Sequence, residues 1–172
     1  MLIIGKAGTA GAGKKTMPVL RDGLMIASLH ASNWKEAATA IVEGREWVFG
    51  KRGGELTGRW ADEPEGSARL RARRTSFWTG SWALDLDGTP IEVRTASAWK
   101  GTHRFFVDGR QVAESGVLGF WSQRPTLTSD ESLPLAHQVF LLWFELVMVR
   151  RRAATTATVA AAGAGGAAAA GS

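Results

Sequence analysis

"SWALDLDGTPIEVRT", residues 81–95, alternates apolar and polar side chains on both sides of an Asp-Gly pair. Trp82, Leu84 and Leu86 share one face before the pair, and Ile91 and Val93 follow it. A period of two is that of a strand with one buried face. Asp87-Gly88 suits the two-residue turn of a β-hairpin, because glycine tolerates positive φ and an acidic side chain can bond the turn backbone. The stretch reads as two antiparallel strands.

The same arrangement recurs. "AIVEGREWVFG" (40–50) places Ile41 and Val42 before its turn and Trp47, Val48 and Phe49 after it; "HRFFVDGRQVAES" (103–115) brings Phe105, Phe106 and Val107 to another. An acid followed by glycine occurs at Asp22-Gly23, Glu43-Gly44, Glu65-Gly66, Asp87-Gly88 and Asp108-Gly109, with glycine steps of 21, 22, 22 and 21 residues. Asp130-Glu131 takes the next position without a glycine. From 16 acids and 21 glycines, chance gives about two such pairs, unevenly spaced. A hairpin every 22 residues between residues 22 and 130 predicts about ten to twelve strands. So many antiparallel strands must form a sandwich or close into a barrel to remove their edges.

The strand pattern ends at "SDESLPLAHQVFLLWFELVMVRRR" (129–152). Ser132 can cap a helix, Pro134 suits a first turn, and Asp130 and Glu131 complement the amino-terminal dipole. Arg150, Arg151 and Arg152 read as its carboxyl cap. Val139 to Val149 is apolar apart from Glu145, so this helix has no solvent face. Leu135 to Val149 would span about 22 Å of a bilayer core of about 30 Å, and His137, Gln138 and Glu145 would be costly in lipid. Burial in protein fits better, with the helix threaded through the barrel. Gln138, Glu145 and Arg152 fall on one stripe. Glu145 is either satisfied by a barrel arginine or by that stripe, or is a functional carboxylic acid.

Composition narrows the function. The 172 residues contain no cysteine, which excludes disulfides, thiolate metal sites and a cysteine nucleophile. Eight Trp and seven Phe supply large side chains for a core. "MLII" is too short for a signal-peptide core, and a cytoplasmic protein, peripheral to the membrane at most, is expected. The net charge of +5 favours polyanions such as phospholipid headgroups or nucleic acid. "ARLRARR" (68–74) alternates Arg69, Arg71 and Arg73 against Leu70 and Ala72. With Arg74 and the earlier Lys51 and Arg52, these are the candidate anion-binding residues, since alternating guanidinium groups grip phosphates bidentately. A solvated outer strand is the structural alternative.

Catalytic constellations are absent from the sequence. His30, His103 and His137 lack metal-ligand spacing, and no G-x-S-x-G elbow occurs; no catalytic residue, metal or cofactor is expected. "GTAGAGKKT" (8–16) approaches a phosphate-binding loop but has Lys15 where a hydroxyl belongs, and lacks the following helix and parallel sheet. Residues 1–19 read as a flexible basic leader, 20–152 as the barrel with its helix at 133–152, and the Ala/Gly-rich 153–172 as a disordered tail.

The acid-Gly hairpins, "THRFFVDGRQVAES" (102–115) and "LPLAHQVFLLWFELVMVRR" (133–151) give a pattern that resembles the tubby-like superfamily, which includes the LURP-one-related proteins and the phospholipid scramblases. The resemblance covers about residues 20–152. It implies a closed barrel of about twelve strands around a central hydrophobic carboxy-terminal helix, and a binding module rather than an enzyme. Tubby-type domains bind phosphoinositide headgroups through basic side chains; scramblases act on membrane lipids with calcium. Here Asp85 and Asp87 lack the further ligands of a calcium site, and no palmitoylated cysteine cluster exists, so scramblase activity is not carried over. The expectation is a non-catalytic module for anionic phospholipid headgroups or a membrane-associated protein partner. The alternatives are a basic Trp/Arg-rich nucleic-acid-binding β-domain and a scaffold without a small ligand.

Overall fold

The structure, a computed structural model, describes residues 1–32, 36–76, 81–119 and 123–165, with side chains through residue 158. Twelve strands are followed by one helix: β1 (Leu2–Ile4), β2 (Met17–Arg21), β3 (Leu24–Ala31), β4 (Ala38–Val42), β5 (Arg45–Arg52), β6 (Glu55–Trp60), β7 (Leu70–Arg74), β8 (Trp82–Leu86), β9 (Thr89–Ser97), β10 (Thr102–Val107), β11 (Arg110–Leu118), β12 (Arg124–Ser129) and α1 (Leu135–Gly165). Each strand pairs antiparallel with its sequence neighbours, and β1 pairs with β12, which closes the barrel.

The turns explain the spacing of the acid-Gly pairs. At Asp22-Gly23, Glu43-Gly44, Asp87-Gly88 and Asp108-Gly109 the acid has φ of 48–54° and the glycine 76–86°. Positive φ at both central residues is the type I′ turn, whose twist matches that of the strands it joins. Each of these turns follows an even-numbered strand, so all four lie at one end of the barrel. Asp130-Glu131, between β12 and α1, lies at that end too. Twenty-two residues are one trip down the wall and back.

Glu65-Gly66 departs from the pattern. It sits inside the longer β6–β7 connection, which folds back until Arg52 donates to the Glu65 carbonyl at 2.5 Å. Conversely, Gly53-Gly54 (φ 57° and 89°) makes a tight turn between β5 and β6, invisible to a search for an acid.

The barrel begins at Leu2, not near residue 20. Leu2 and Ile4 are buried, and Leu2 faces Leu127 on one side and Arg21 on the other. Three residues are too few to show a period, which is why the first strand reads as part of a leader. "GTAGAGKKT" is the β1–β2 connection. Its amides bond its own carbonyls, Gly8 to Thr16 and Thr16 to Gly13, and strand β2 follows where a phosphate-binding loop needs a helix.

The helix also exceeds its expected bounds. It starts at Leu135 and runs to Gly165, so 153–165 is helical rather than part of a disordered tail; 166–172 lie outside the described residues. Ten consecutive side chains, Val139 to Met148, are buried, which encloses the helix on every side. Twelve strands make a barrel too wide for side chains alone to fill. The helix backbone approaches β4, β7 and β12, and on β4 and β7 the inward residues include Ala38, Ala40 and Ala72. Elsewhere rings fill the gap: Phe49 lies 5.5 Å from Phe140 and 5.2 Å from Trp143, and Trp82 lies 5.3 Å from Phe144, centroid to centroid. Gly58 clears space for this layer, since a Cβ there would lie 3.1 Å from Phe49 Cδ1 and 3.2 Å from Leu70 Cβ. Among the described residues no helix is long and apolar enough to cross a membrane.

Candidate functional site at the cationic mouth

Topology sorts charge along the barrel axis. The turns after even strands carry Asp22, Glu43, Asp87 and Asp108, joined by Asp130 and Glu131 where the helix enters; Arg21, Arg45, Arg69 and Arg110 stand beside them, and Arg69 and Arg110 bridge Asp87 and Asp130. At the other end, the connections after odd strands and the strand ends beside them carry Lys6, Lys14, Lys15, Lys51, Arg52 and Lys100. The helix leaves the barrel there through Arg150, Arg151 and Arg152.

These three arginines do not cap the helix, which continues beyond them for a further 13 residues. Consecutive helical side chains diverge by about 100°, so each reaches a different part of the rim. Arg150 donates to the Ser32 carbonyl at 2.8 Å. Arg151 forms a two-pronged bridge to Glu36, at 2.5 and 2.7 Å, with its guanidinium 5.3 Å from the Trp82 ring centre. Arg152 donates to the Lys100 carbonyl at 3.4 Å, lying across Gly101, where a Cβ would fall 0.9 Å from Arg152 Nη1. The collar ties the helix to the β3–β4 and β9–β10 connections.

Beside the collar is a cleft of about 920 Å³ lined by Lys51, Arg74, Trp82, His103, Arg151 and Arg152, with Thr155 and Thr156 of the emerging helix along one side. No acidic side chain lines it among the described residues. Glu36 stands behind it, 3.5 Å from Lys51 Nζ as well as bridged to Arg151. The bonded Arg151 guanidinium holds the Glu36 carboxyl below the ordinary carboxylate range, against the opposing effect of burial; the Lys51 charge adds to the lowering.

At the floor of the cleft, His103 Nδ1 lies 2.7 Å from Glu145 Oε1, and both residues are buried. The His103 amide donates to Ser115 Oγ at 2.7 Å. Glu145 is therefore satisfied by a histidine, not by an arginine or its own helical stripe. The other members of that stripe bond elsewhere: Gln138 accepts from Arg21 at 3.0 Å and Arg152 reaches Lys100.

The six candidate cations separate into different places. Arg74 falls on the side of Leu70 and Ala72 but at the strand end, where it is exposed and lines the cleft, while Arg71 and Arg73 are exposed on the outer wall. Arg71 lies 3.7 Å from Glu55. Arg69 belongs to the opposite end, bridged to Glu63 at 2.7 Å and Asp87 at 3.3 Å. Its guanidinium stacks 3.4 Å from the Trp60 ring centre, with Arg45 at 3.1 Å from the same centre. Arg52 is bonded to the Glu65 carbonyl. Only Lys51 and Arg74 of the six line the cleft, and the Arg69–Arg71–Arg73 row is not a single phosphate grip.

Tryptophan also divides. Trp47, Trp82 and Trp143 are buried, whereas Trp99 is 97% exposed, in the β9–β10 connection held by Arg152. Its context, "SAWKGT" between two strands, is the only sequence signal that separates it from the core tryptophans.

Compared with protein-family models, with curated proteins and with solved structures, the chain matches none. The fold and this cleft carry the functional argument by themselves.

Proposed function

We propose that the chain is a non-catalytic binding module whose cationic mouth takes a phosphate-bearing lipid headgroup. One observation carries this reading: Lys51 from β5, Arg74 from β7, and Arg151 and Arg152 from α1 converge on a single cleft that has no acidic lining residue among the described ones. Guanidinium and ammonium groups set around a concave site suit a phosphate, which accepts several charge-assisted hydrogen bonds at once. Glu36 and Trp82 hold Arg151 in place before a ligand arrives, which lowers the ordering cost of binding. The sequence resemblance to phosphoinositide-binding barrels points to the same ligand class.

The test is calorimetric titration of a soluble inositol trisphosphate into the full chain and into the Lys51→Ala/Arg74→Ala variant. Losing two charge-assisted contacts at about 1.5 kcal/mol each weakens binding by roughly a hundredfold. Arg71→Ala/Arg73→Ala, on the outer wall, leaves the affinity within about threefold. An affinity that responds equally to both pairs, or no heat of binding at all, removes the reading.

A further inference from the structure

Trp99 is the exposed side chain that the fold accounts for least. It is 97% accessible, in a connection that is held rather than loose. The Gly101 amide donates to the Ser97 carbonyl at 2.7 Å, the Lys100 amide donates to Ser97 Oγ at 3.2 Å, and Arg152 grips the Lys100 carbonyl. A large aromatic ring is thus fixed at the rim, and among the described residues no protein surface covers it. Beside it lie Lys100, Val117 and the end of β11, where Leu118 is 39% exposed.

We propose that the cationic end of the barrel is the face that docks on an anionic bilayer, with Trp99 seated in the interfacial layer. The inference rests on the headgroup reading of the neighbouring cleft and adds the orientation and the anchor. Three features of this end fit a membrane surface. Indole is amphipathic and settles at headgroup depth. Lys100 and the lysines of the β1–β2 connection, Lys6, Lys14 and Lys15, lie at the same end, and surface cations are attracted to anionic lipid. The helix that emerges there, 153–165, carries no charged side chain, so it enters the headgroup layer without desolvating a charge. The opposite rim offers no such row of cations, since its arginines are bridged to its own acids, Arg69 to Asp87 and Arg110 to Asp130.

The experiment uses the full chain with phosphatidylcholine vesicles, with and without phosphatidylserine, in sedimentation and in fluorescence quenching by brominated lipid. Binding is expected only with phosphatidylserine and is expected to weaken with salt. Trp99→Ala weakens it about tenfold, as expected for withdrawing a large apolar side chain from lipid. Trp99→Phe lowers the amount of emission that brominated lipid quenches relative to wild type, since it withdraws the indole from the interfacial layer. Inositol trisphosphate affinity stays unchanged in both variants, because Trp99 does not line the cleft.

Equal vesicle binding by wild type and Trp99→Ala overturns the proposal. So does an amount of quenched emission in Trp99→Phe equal to that of wild type. If soluble headgroup binding survives in that case, the cleft reading stands alone; if it also fails, both fall. A chain that ignores vesicles but forms a dimer dispersed by Trp99→Ala overturns it in favour of a second copy covering Trp99.

Discussion

The two ends of the barrel are built from the same twelve strands yet do opposite jobs. At the acidic end four type I′ turns cross between strands in two residues each, and Arg21 donates to the buried Gln138 beside the helix entry. At the cationic end every connection but the Gly53-Gly54 turn is longer, the helix passes out through an arginine collar, and a cleft opens beside it. A closed barrel permits this because its register is fixed by hydrogen bonds around the whole circumference, which leaves one rim free to vary.

The largest perturbation is one that ignores the distinction. Phe144 packs against Trp82, Phe105 and His103, so Phe144→Ala is expected to cost about 3–5 kcal/mol and to lower the urea midpoint for the entire molecule. Probes at the two ends unfolding separately would show that the ends are independent units rather than faces of one core.

Next in size is the pair below the cleft. Glu145→Ala leaves buried His103 without its partner and is expected to cost about 2–3 kcal/mol. The double variant His103→Phe/Glu145→Leu should recover most of that loss. A double variant no more stable than Glu145→Ala would mean that the pair is required for something beyond mutual satisfaction.

The turns sharpen the comparison. Gly88 has φ of 86°, so Gly88→Ala at the acidic rim is expected to cost about 1 kcal/mol. At the cationic rim, Gly53→Asn, also at positive φ, should fall within about 0.5 kcal/mol of wild type because asparagine tolerates this region. Thermal denaturation of both variants measures the difference.

The smallest effect is acid dependence at the cationic rim. The folded-state pKa of Glu36 is depressed, so its contribution is fully present above the unfolded carboxylate value. It is lost as pH falls through the lowered folded value. Glu36→Gln should therefore flatten the decline of melting temperature below pH 4.5, with less than about 1 kcal/mol at stake for a pair near the surface. An unchanged decline would show that Glu36 does not set the acid response of this rim.

Much of this architecture was legible because its causes are local. An acid-Gly pair at positive φ is a property of two residues, and its recurrence every 22 residues follows from strand length. The helix betrayed itself by lacking a polar face. What escaped notice depends on partners remote in sequence. Glu145 and His103 are 42 residues apart, so no spacing rule joins them. Strand β1 is too short to show alternation and exists through its pairing with β2 and β12. The alternation in "ARLRARR" set Arg71 and Arg73 opposite Leu70 and Ala72, as the strand has them; that Arg74 reaches a cleft shows only once β7 is known to end at the mouth. Trp99 was obscured by its residue type, since tryptophan ordinarily counts toward the core.

The closure of the barrel has a kinetic side. Leu2 pairs with Leu127, so β1 finds one neighbour in β2 but gains its other neighbour only when β12 has been made. During that interval the wall is a curled sheet with two raw edges, and the apolar helix arrives only after the last strand. The three-residue β1, hung on the glycine-rich 5–16 connection, carries the seam that joins the two ends of the sheet. Such non-local closure makes for slow folding, and the seam is where a second chain would most readily intrude before the fold is complete.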